Sequence, residues 1–264
     1  MPSETDGPDA TGPVVVVVMP ARDEATTVAA NVAAAIGCRH VRRVIVVDDG
    51  SRDDTAAVAA AAGARVVGRP GSTGSKAHAM DAGVRATDAT HILFVDADCT
   101  GLTSAHLDAI CEPVLDGRAD MSFGAFDYGW LNRLVLVCPP LSGERIVPRW
   151  LWDAIPATKL DGYTIEVRMN EVIAEGHLRT SARTMPGVFH RTKRDKFGVV
   201  EGFRRTVLMY RDLLAMLKPF GDVRWRTYVF YLRGLTVEGA GDGVVSRVRA
   251  ARSRRSRSRA TPRS

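Results

Sequence analysis

The sequence has few cysteines, and none of them forms a recognisable pair. The four cysteines among 264 residues include no C-x-x-C motif and show no zinc-ligand spacing. A reducing, cytoplasmic setting is therefore expected. The longest apolar runs, such as VVVVVM, are far shorter than the roughly 20 residues that span a bilayer. Any membrane contact is thus expected to be peripheral, at the inner face of the membrane.

Two glycine-rich nucleotide motifs are also missing. No G-x-G-x-x-G follows the first predicted strand, where MPARDE stands instead, and this disfavours a Rossmann dehydrogenase. The stretch GSTGSKAHAMDAG lacks the Walker pattern, because Ser75 separates Gly74 from Lys76 and no Ser or Thr follows the lysine. Acids rather than glycines at the strand ends favour a diphosphate whose charge is neutralised by a metal ion.

Acidic residues are absent from the C-terminus, where positive charge is concentrated. The formal net charge is +6, yet residues 247–263 carry eight arginines, so the rest of the chain is slightly acidic. Residues 243–264 have no core-forming pattern and are predicted to be a disordered basic tail. The tail is either a solvated terminus or a segment attracted to anionic membrane, and no specific nucleic-acid binding is expected. Residues 1–13 show no signal-peptide pattern and are expected to be a flexible lead-in.

Strand-like and helix-like segments alternate from residue 14 to about residue 125. This alternation predicts βαβ units and a mostly parallel sheet with helices on both faces, that is, an α/β fold. No internal repeat is present. The predicted strands are residues 14–19, 41–49, 64–68 and 91–98, and the predicted helices are residues 23–36, 51–62 and 76–87.

The region from residue 126 to residue 242 has a different character, with tryptophans and prolines that interrupt regular periodicity. A helix is predicted over residues 163–175, and a basic loop, GVFHRTKRDKFG, follows it. The amphipathic stretches after this loop are expected to pack on the domain, to contact a second copy in a homodimer, or to lie on a membrane.

Polar clusters follow three of the predicted strands. They are MPARDE after the first strand, VDDGS after the second and VDADC after the fourth. Because ligands of parallel sheets bind at the carboxyl ends of the strands, these clusters are expected to line one site. Asp96 and Asp98 can hold Mg²⁺ or Mn²⁺, although a polar turn also accounts for the pair. Lys76, at a predicted helix start, suits a diphosphate.

Together these motifs resemble the nucleotide-binding half of family 2 glycosyltransferases with the GT-A fold. The resemblance covers residues 14–125 and rests on four motifs in order: VVVVVMPARDEATTV, VVDDGSRDDT, GSKAHAMDAG and FVDADCTGL. It departs from the family at Asp23 and Asp81, where Asn is usual, and at Ala77, where Gly is usual. It implies a metal ligand at Asp98, a base-reading carboxylate at Asp49, and a nucleotide-sugar site made of Pro20, Ala21, Glu24, Asp49, Ser51, Lys76 and Asp96.

The second half is similar to the acceptor segments of two glycosyltransferase subgroups. One subgroup makes polyprenyl-phosphate sugars, and the other is the glucosyl-3-phosphoglycerate synthase group. The similarity rests on the segments PLSGER, DGYTIEVRMN and GVFHRTK. By this similarity Gly162, Tyr163 and Glu166 are expected to face the sugar or the acceptor, and His190 is expected to be a further metal ligand. Residues 126–242 are therefore interpreted as an acceptor-binding half with C-terminal helices.

The resemblance implies transfer of a sugar from a nucleotide-diphosphate sugar to an acceptor. A hydroxyl acceptor needs a general base, for which Asp161 and Glu166 are the candidate catalytic residues. A phosphorylated acceptor, either a small phospho-acid or a polyprenyl phosphate, needs cations, and Arg145, Arg191 and Lys193 can supply them. A sugar-phosphate nucleotidyltransferase and a nucleotide-sugar-binding protein without turnover are the alternative functions.

Overall fold

A mixed eight-stranded sheet lies at the centre of the computed structural model, which describes residues 12–72, 74–126, 142–160, 165–190 and 234–238. A two-stranded ribbon is separate from this sheet and consists of β5 (Cys99–Thr100) and β9 (Phe189–His190). The strands of the main sheet are β1 (Val15–Ala21), β2 (Val41–Asp48), β3 (Arg65–Gly68), β4 (His91–Phe94), β6 (Met121–Phe126), β7 (Arg145–Pro148), β8 (Thr180–Met185) and β10 (Leu235–Glu238).

The strands of the main sheet lie in the order β10, β8, β6, β7, β4, β1, β2 and β3. All neighbouring pairs are parallel except the two that include β7. The predicted mostly parallel α/β sheet is therefore confirmed. Since β7 runs antiparallel to β4, its first residue, Arg145, pairs with the last residue of β4, Phe94. The segment that leads into β7 thus reaches the edge of the sheet where the parallel strands end.

Helices cover both faces of the sheet. Side chains of α1 and α4 belong to one buried apolar layer, and side chains of α3 and α6 belong to the other. None of the helices in the described ranges is long and apolar enough to span a membrane. The helices are α1 (Val28–Ile36), α2 (Thr55–Ala61), α3 (Lys76–Arg85), α4 (Ser104–Leu115), α5 (Arg149–Asp153) and α6 (Ile165–Glu175), with a short 3₁₀ turn at Ala157–Lys159.

The valine run in β1 reflects burial on both faces of the sheet. Val15, Val17 and Met19 pack in the layer of α1 and α4, whereas Val16 and Val18 pack in the layer of α3 and α6. All five side chains are at most 3% exposed. An unbroken apolar run, rather than an alternating one, is what a central parallel strand requires.

Two helices begin later than the sequence pattern predicts. α1 begins at Val28 rather than near Asp23, and α2 begins at Thr55, shortly after the later of its two predicted starts, Ser51 and Asp53. The residues before α1 form a turn in which the Glu24 carbonyl accepts a hydrogen bond from the Val28 amide at 3.0 Å. The predicted first turns of both helices therefore belong to loops at the end of the sheet.

We expect a methyl group at Gly83 to destabilise the fold. Gly83 lies in α3, where an added Cβ would overlap Val18 of β1 and also touch Val47 of β2. Overpacking of this kind costs more than the helix propensity that alanine gains, so Gly83→Ala should lower the free energy of unfolding by about 1–2 kcal/mol. Chemical denaturation measures this loss.

Gly68→Ala is the matched control, because Gly68 in β3 has no atom within 4 Å of an added Cβ and no positive φ. This variant should change stability by less than about 0.5 kcal/mol. Equal losses in the two variants would contradict the close packing of α3 on β1.

Candidate functional site

The loops that follow β1 and β2 are joined by hydrogen bonds at the carboxyl edge of the sheet, meaning the edge where the parallel strands end. The Asp49 amide donates to the Ala21 carbonyl at 2.9 Å, and the Asp23 amide donates to the Ser51 hydroxyl at 3.1 Å. In return, the Arg52 amide donates to the Asp23 carboxylate at 2.7 Å. MPARDE and VDDGS therefore form one surface, as their place after neighbouring parallel strands predicts.

Two residues with positive φ give these loops their shape. Asp23 has φ 56° and Gly50 has φ 75°. Aspartate tolerates the left-handed region better than most residues, and here the bond from the Arg52 amide holds it there. Asp49 directly follows β2 and is bonded to Ala21, and the chain turns at Gly50 immediately after it.

The predicted nucleoside-contacting acids are buried in these loops. Asp49 is 4% exposed and forms an ion pair with Arg69, which follows β3. Glu24 is 5% exposed, and its carboxylate accepts from the Thr27 hydroxyl at 3.3 Å. The Asp49–Arg69 pair places a hydrogen-bond acceptor beside a donor at the end of β2, an arrangement that suits a planar polar group such as a base. Pro20 is half-buried at the end of β1.

Lys76 joins the first half of the chain to the second half. It is the first residue of α3, and the side chain of the N-cap residue Ser75 accepts from the His78 amide. Lys76 Nζ lies 2.7 Å from Asp96 Oδ1 and 2.8 Å from Glu166 Oε1. Asp96 follows β4, and Glu166 is in the first turn of α6. One ammonium therefore connects three elements of the site.

The charge of Lys76 is maintained by its two partners. Burial alone would lower the pKa of this ammonium, but the carboxylates of Asp96 and Glu166 outweigh burial and hold its pKa well above the usual value. The Lys76 side chain is 20% exposed and that of Glu166 is 5% exposed. Because exposure is this low, both carboxylates depend on Lys76 for charge compensation.

The loop of residues 95–98, between β4 and β5, carries Asp96 and Asp98. Asn31 of α1 fixes this loop, since its side-chain amide donates to the carbonyls of Ala97 and Cys99 at 2.9 and 3.0 Å. Asp98 is half-buried beside them. The two predicted acids are thus presented by a loop whose backbone is anchored to a neighbouring helix.

The ribbon of β5 and β9 brings His190 next to this loop. Cys99 pairs with His190 in the antiparallel ladder, so His190 lies one register position from Asp98. The His190 side chain is outside the described residues, and no three described His, Cys, Asp or Glu side chains converge on one point. The carboxylates of Asp96 and Asp98 supply oxygen donors of the kind that Mg²⁺ or Mn²⁺ prefers, provided that other ligands complete the shell.

A buried carboxylate that sequence reasoning did not single out lies beneath the loop. Glu144 is fully buried, and its two oxygens accept from the Cys99 thiol at 2.9 Å and from the Ser142 hydroxyl at 2.8 Å. Burial and the charges of Glu144 and Asp96 raise the pKa of the Cys99 thiol far above its usual value. Cys99 is therefore a hydrogen-bond donor here and not a nucleophile.

Arg145 is buried in the interior rather than presented to an acceptor. It is fully buried, and its guanidinium donates to the Ser142 carbonyl at 2.9 and 2.6 Å. It also donates to the Glu166 carbonyl at 3.4 Å and to the Asn170 side chain at 3.3 Å. These bonds favour a structural role, in which Arg145 holds the start of β7 against α6, over the acceptor-binding role predicted from sequence. Asp161, Gly162, Tyr163, Arg191 and Lys193 lie outside the described residues.

Comparison with known proteins agrees with this architecture. Residues 16–132 match the family model described as glycosyl transferase family 2. None of the curated protein sequences matches the chain significantly. Among solved structures, a mycobacterial protein is 24% identical with a TM-score of 0.56, and the alignment covers 68% of each chain.

Glucosyl-3-phosphoglycerate synthase from Mycobacterium tuberculosis is similar over a longer stretch. Its complex with phosphoglyceric acid is 23% identical, with a TM-score of 0.63, and covers 88% of this chain and 84% of that chain. Its complex with Mn²⁺, uridine-diphosphate-glucose and phosphoglyceric acid is also 23% identical, with a TM-score of 0.62, and covers 88% and 83%. At this identity the likeness shows that the chain shares the fold of these proteins.

We expect Lys76→Met to destabilise the protein strongly, because it leaves Asp96 and Glu166 without their common cation. Loss of one partner of a buried ion pair typically costs 3–5 kcal/mol, so a loss of about 3 kcal/mol is expected by chemical denaturation. Adding Glu166→Gln should recover about 1 kcal/mol or more, since one uncompensated charge is removed.

Glu175→Gln is the matched control for that recovery. Glu175 is exposed at the other end of α6. Added to Lys76→Met, this change should leave stability within about 0.5 kcal/mol of the single variant. Equal recovery by the two glutamines would contradict a direct Lys76–Glu166 interaction.

Proposed function

We propose that this chain, a family 2 type glycosyltransferase with the GT-A fold, transfers a sugar from a nucleotide-diphosphate sugar to a phosphorylated acceptor with the aid of Mg²⁺ or Mn²⁺. The observation that carries the proposal is the convergence of three acidic loops and Lys76 at the carboxyl edge of the sheet. In the reaction the bond between the anomeric carbon and the diphosphate oxygen breaks, and a bond from that carbon to an acceptor oxygen forms.

The donor is assigned to the loops after β1, β2 and β4. Pro20, Ala21 and Glu24 line the position of the nucleoside, and Asp49 accepts from a base N–H while Arg69 neutralises it. Ser51 supports this surface through the Asp23 amide. Lys76 and Asp96 lie where α3 begins, and free amides at a helix N-terminus favour a diphosphate.

Asp98 and His190 are assigned as the protein ligands of the divalent ion, with Asp96 beside them. When bound, such an ion neutralises the negative charge that accumulates on the departing diphosphate. The Mycobacterium tuberculosis enzyme, which shares the fold, has been crystallised with Mn²⁺ and uridine-diphosphate-glucose and with Mg²⁺ and uridine-diphosphate. This precedent supports the metal and makes uridine-diphosphate-glucose the first donor to test.

The acceptor is assigned to the surface around the first turn of α6. The Glu166 carboxylate is paired with Lys76 there, so it can orient an acceptor hydroxyl or accept its proton. Asp161 is the second candidate for this role. The Mycobacterium tuberculosis enzyme binds phosphoglyceric acid within a fold shared over 88% of this chain, which supports a small phosphorylated acid as the acceptor.

A thermal-shift screen of nucleotide-sugars tests the donor and the metal together. We expect uridine-diphosphate-glucose to raise the Tm of the wild type more with Mn²⁺ than without it. Asp98→Ala should remove the metal-dependent part of the shift, with at least tenfold weaker binding of the donor. Asp88→Ala is the matched control, because Asp88 is exposed just before β4, at the opposite edge of the sheet, and it should behave as wild type. A full metal-dependent shift in Asp98→Ala would reject this ligand assignment.

A product assay with competing acceptors tests the second half of the proposal. With labelled donor and Mn²⁺, we expect 3-phosphoglycerate to become glycosylated and glycerate to remain unchanged, because the phosphate provides the charge that the site binds. Polyprenyl phosphate in detergent is the competing phosphorylated acceptor, and its exclusive use would identify a lipid-linked product instead. Glycosylation of glycerate at the same rate as phosphoglycerate would contradict a phosphorylated acceptor.

A further inference from the structure

We propose that Glu144 is a positioning residue that holds the acidic loop of residues 95–98 in place for metal binding. It would act through the Cys99 thiol and the Ser142 hydroxyl, without contact to either substrate. The inference rests on the proposed function in one respect, namely that Asp98 is a metal ligand. The segment PLSGER, which contains Glu144, is similar to acceptor segments, but that similarity gives Glu144 itself no role.

The first argument is the energetic cost of the Glu144 carboxylate. A fully buried carboxylate loses its hydration, and apolar side chains of similar size at such a position often stabilise a protein as well or better. Two hydrogen bonds, from Cys99 at 2.9 Å and from Ser142 at 2.8 Å, compensate the charge only in part. A buried carboxylate of this kind contributes little to the free energy of unfolding. Its main effect is to fix the positions of the Cys99 and Ser142 groups that donate to it.

The second argument is where these donors lie. Cys99 directly follows Asp98, so the bond from its thiol fixes the end of the loop that carries the metal ligand. Asn31 holds the same stretch from the α1 side through the carbonyls of Ala97 and Cys99. The loop is therefore held on one side by the Asn31 side-chain amide and on the other by the Glu144 carboxylate.

The third argument is the shape of the segment that carries Glu144. Its neighbour Gly143 packs on the Asp96 carboxylate so closely that any Cβ at this position would overlap it. The Glu144 carbonyl accepts from the Gly124 amide of β6 at 2.8 Å, which fixes the segment to the main sheet. Residues 142–145 thus set the position of both Asp96 and Cys99.

The same segment also reaches the helix that carries Glu166. The Arg145 side chain donates to the Ser142 carbonyl and to groups of α6, so hydrogen bonds join the segment to the helix. Glu144 therefore belongs to a segment that contacts both the loop of residues 95–98 and the helix on the proposed acceptor side of the site. Groups that orient metal ligands in this indirect way typically change metal affinity by 10–100-fold when mutated.

Three variants separate positioning from simple stability. Cys99→Ala removes the donor to Glu144, Cys99→Ser keeps a donor of similar size, and Glu144→Gln keeps the shape but removes the charge. Mn²⁺ affinity, alone and with UDP or GDP, is measured by calorimetry, and Tm is measured in parallel. We expect Cys99→Ala and Glu144→Gln to weaken Mn²⁺ binding about tenfold or more, and Cys99→Ser to stay within about threefold of wild type.

Cys111→Ala is the matched control, because Cys111 is a fully buried cysteine of α4 in the apolar layer below the sheet. It should lower Tm without changing Mn²⁺ affinity. If Cys99→Ala and Glu144→Gln behave like this control, Glu144 is only a structural residue and the inference is overturned. If Asp98→Ala leaves Mn²⁺ affinity unchanged, or the wild type binds no Mn²⁺, the proposed metal site itself fails and the inference fails with it.

Discussion

The ion pairs of Lys76 are the interaction on which the rest of the site depends. One ammonium compensates Asp96 after β4 and Glu166 at the start of α6, two carboxylates contributed by distant parts of the chain. Without that cation the two charges would have to be buried close together unpaired, which a folded protein avoids by unfolding or by taking up protons. The contact between the loop after β4 and the first turn of α6 therefore depends on Lys76 at the start of α3.

Buried charge in the described residues is concentrated at the carboxyl edge of the sheet. Asp49, Glu144, Arg145 and Glu166 are all at most 4% exposed, whereas the two layers on the faces of the sheet are apolar. Burying charge is expensive even when every group is hydrogen-bonded, so this concentration is poorly explained by stability alone. The proposed sugar transfer accounts for it, because that chemistry needs fixed charges in a site from which water is largely excluded.

The sheet and its polar edge were predictable, whereas the details of the loops were not. The runs in β1, β2 and β4 have the composition of buried parallel strands, and the rule for parallel sheets then brings their acidic ends together. The late start of α1 depends on a bond between Asp23 and the Arg52 amide, 29 residues away, which no local pattern reveals. The burial of Glu144 and Arg145 was unpredictable for a different reason, since charged residues at the start of a strand usually face solvent.

Under the proposed function, Lys76 would couple the binding of the donor to the binding of the acceptor electrostatically. Lys76 Nζ lies within 2.8 Å of both carboxylates, and interactions at this distance and low exposure are much stronger than in water. A ligand that binds the Asp96 carboxylate weakens its ion pair with Lys76, and the ion pair between Lys76 and Glu166 then becomes stronger. A ligand that binds Glu166 has the reverse effect. Because such coupling is reciprocal, binding on one side of Lys76 must change affinity on the other by the same free energy.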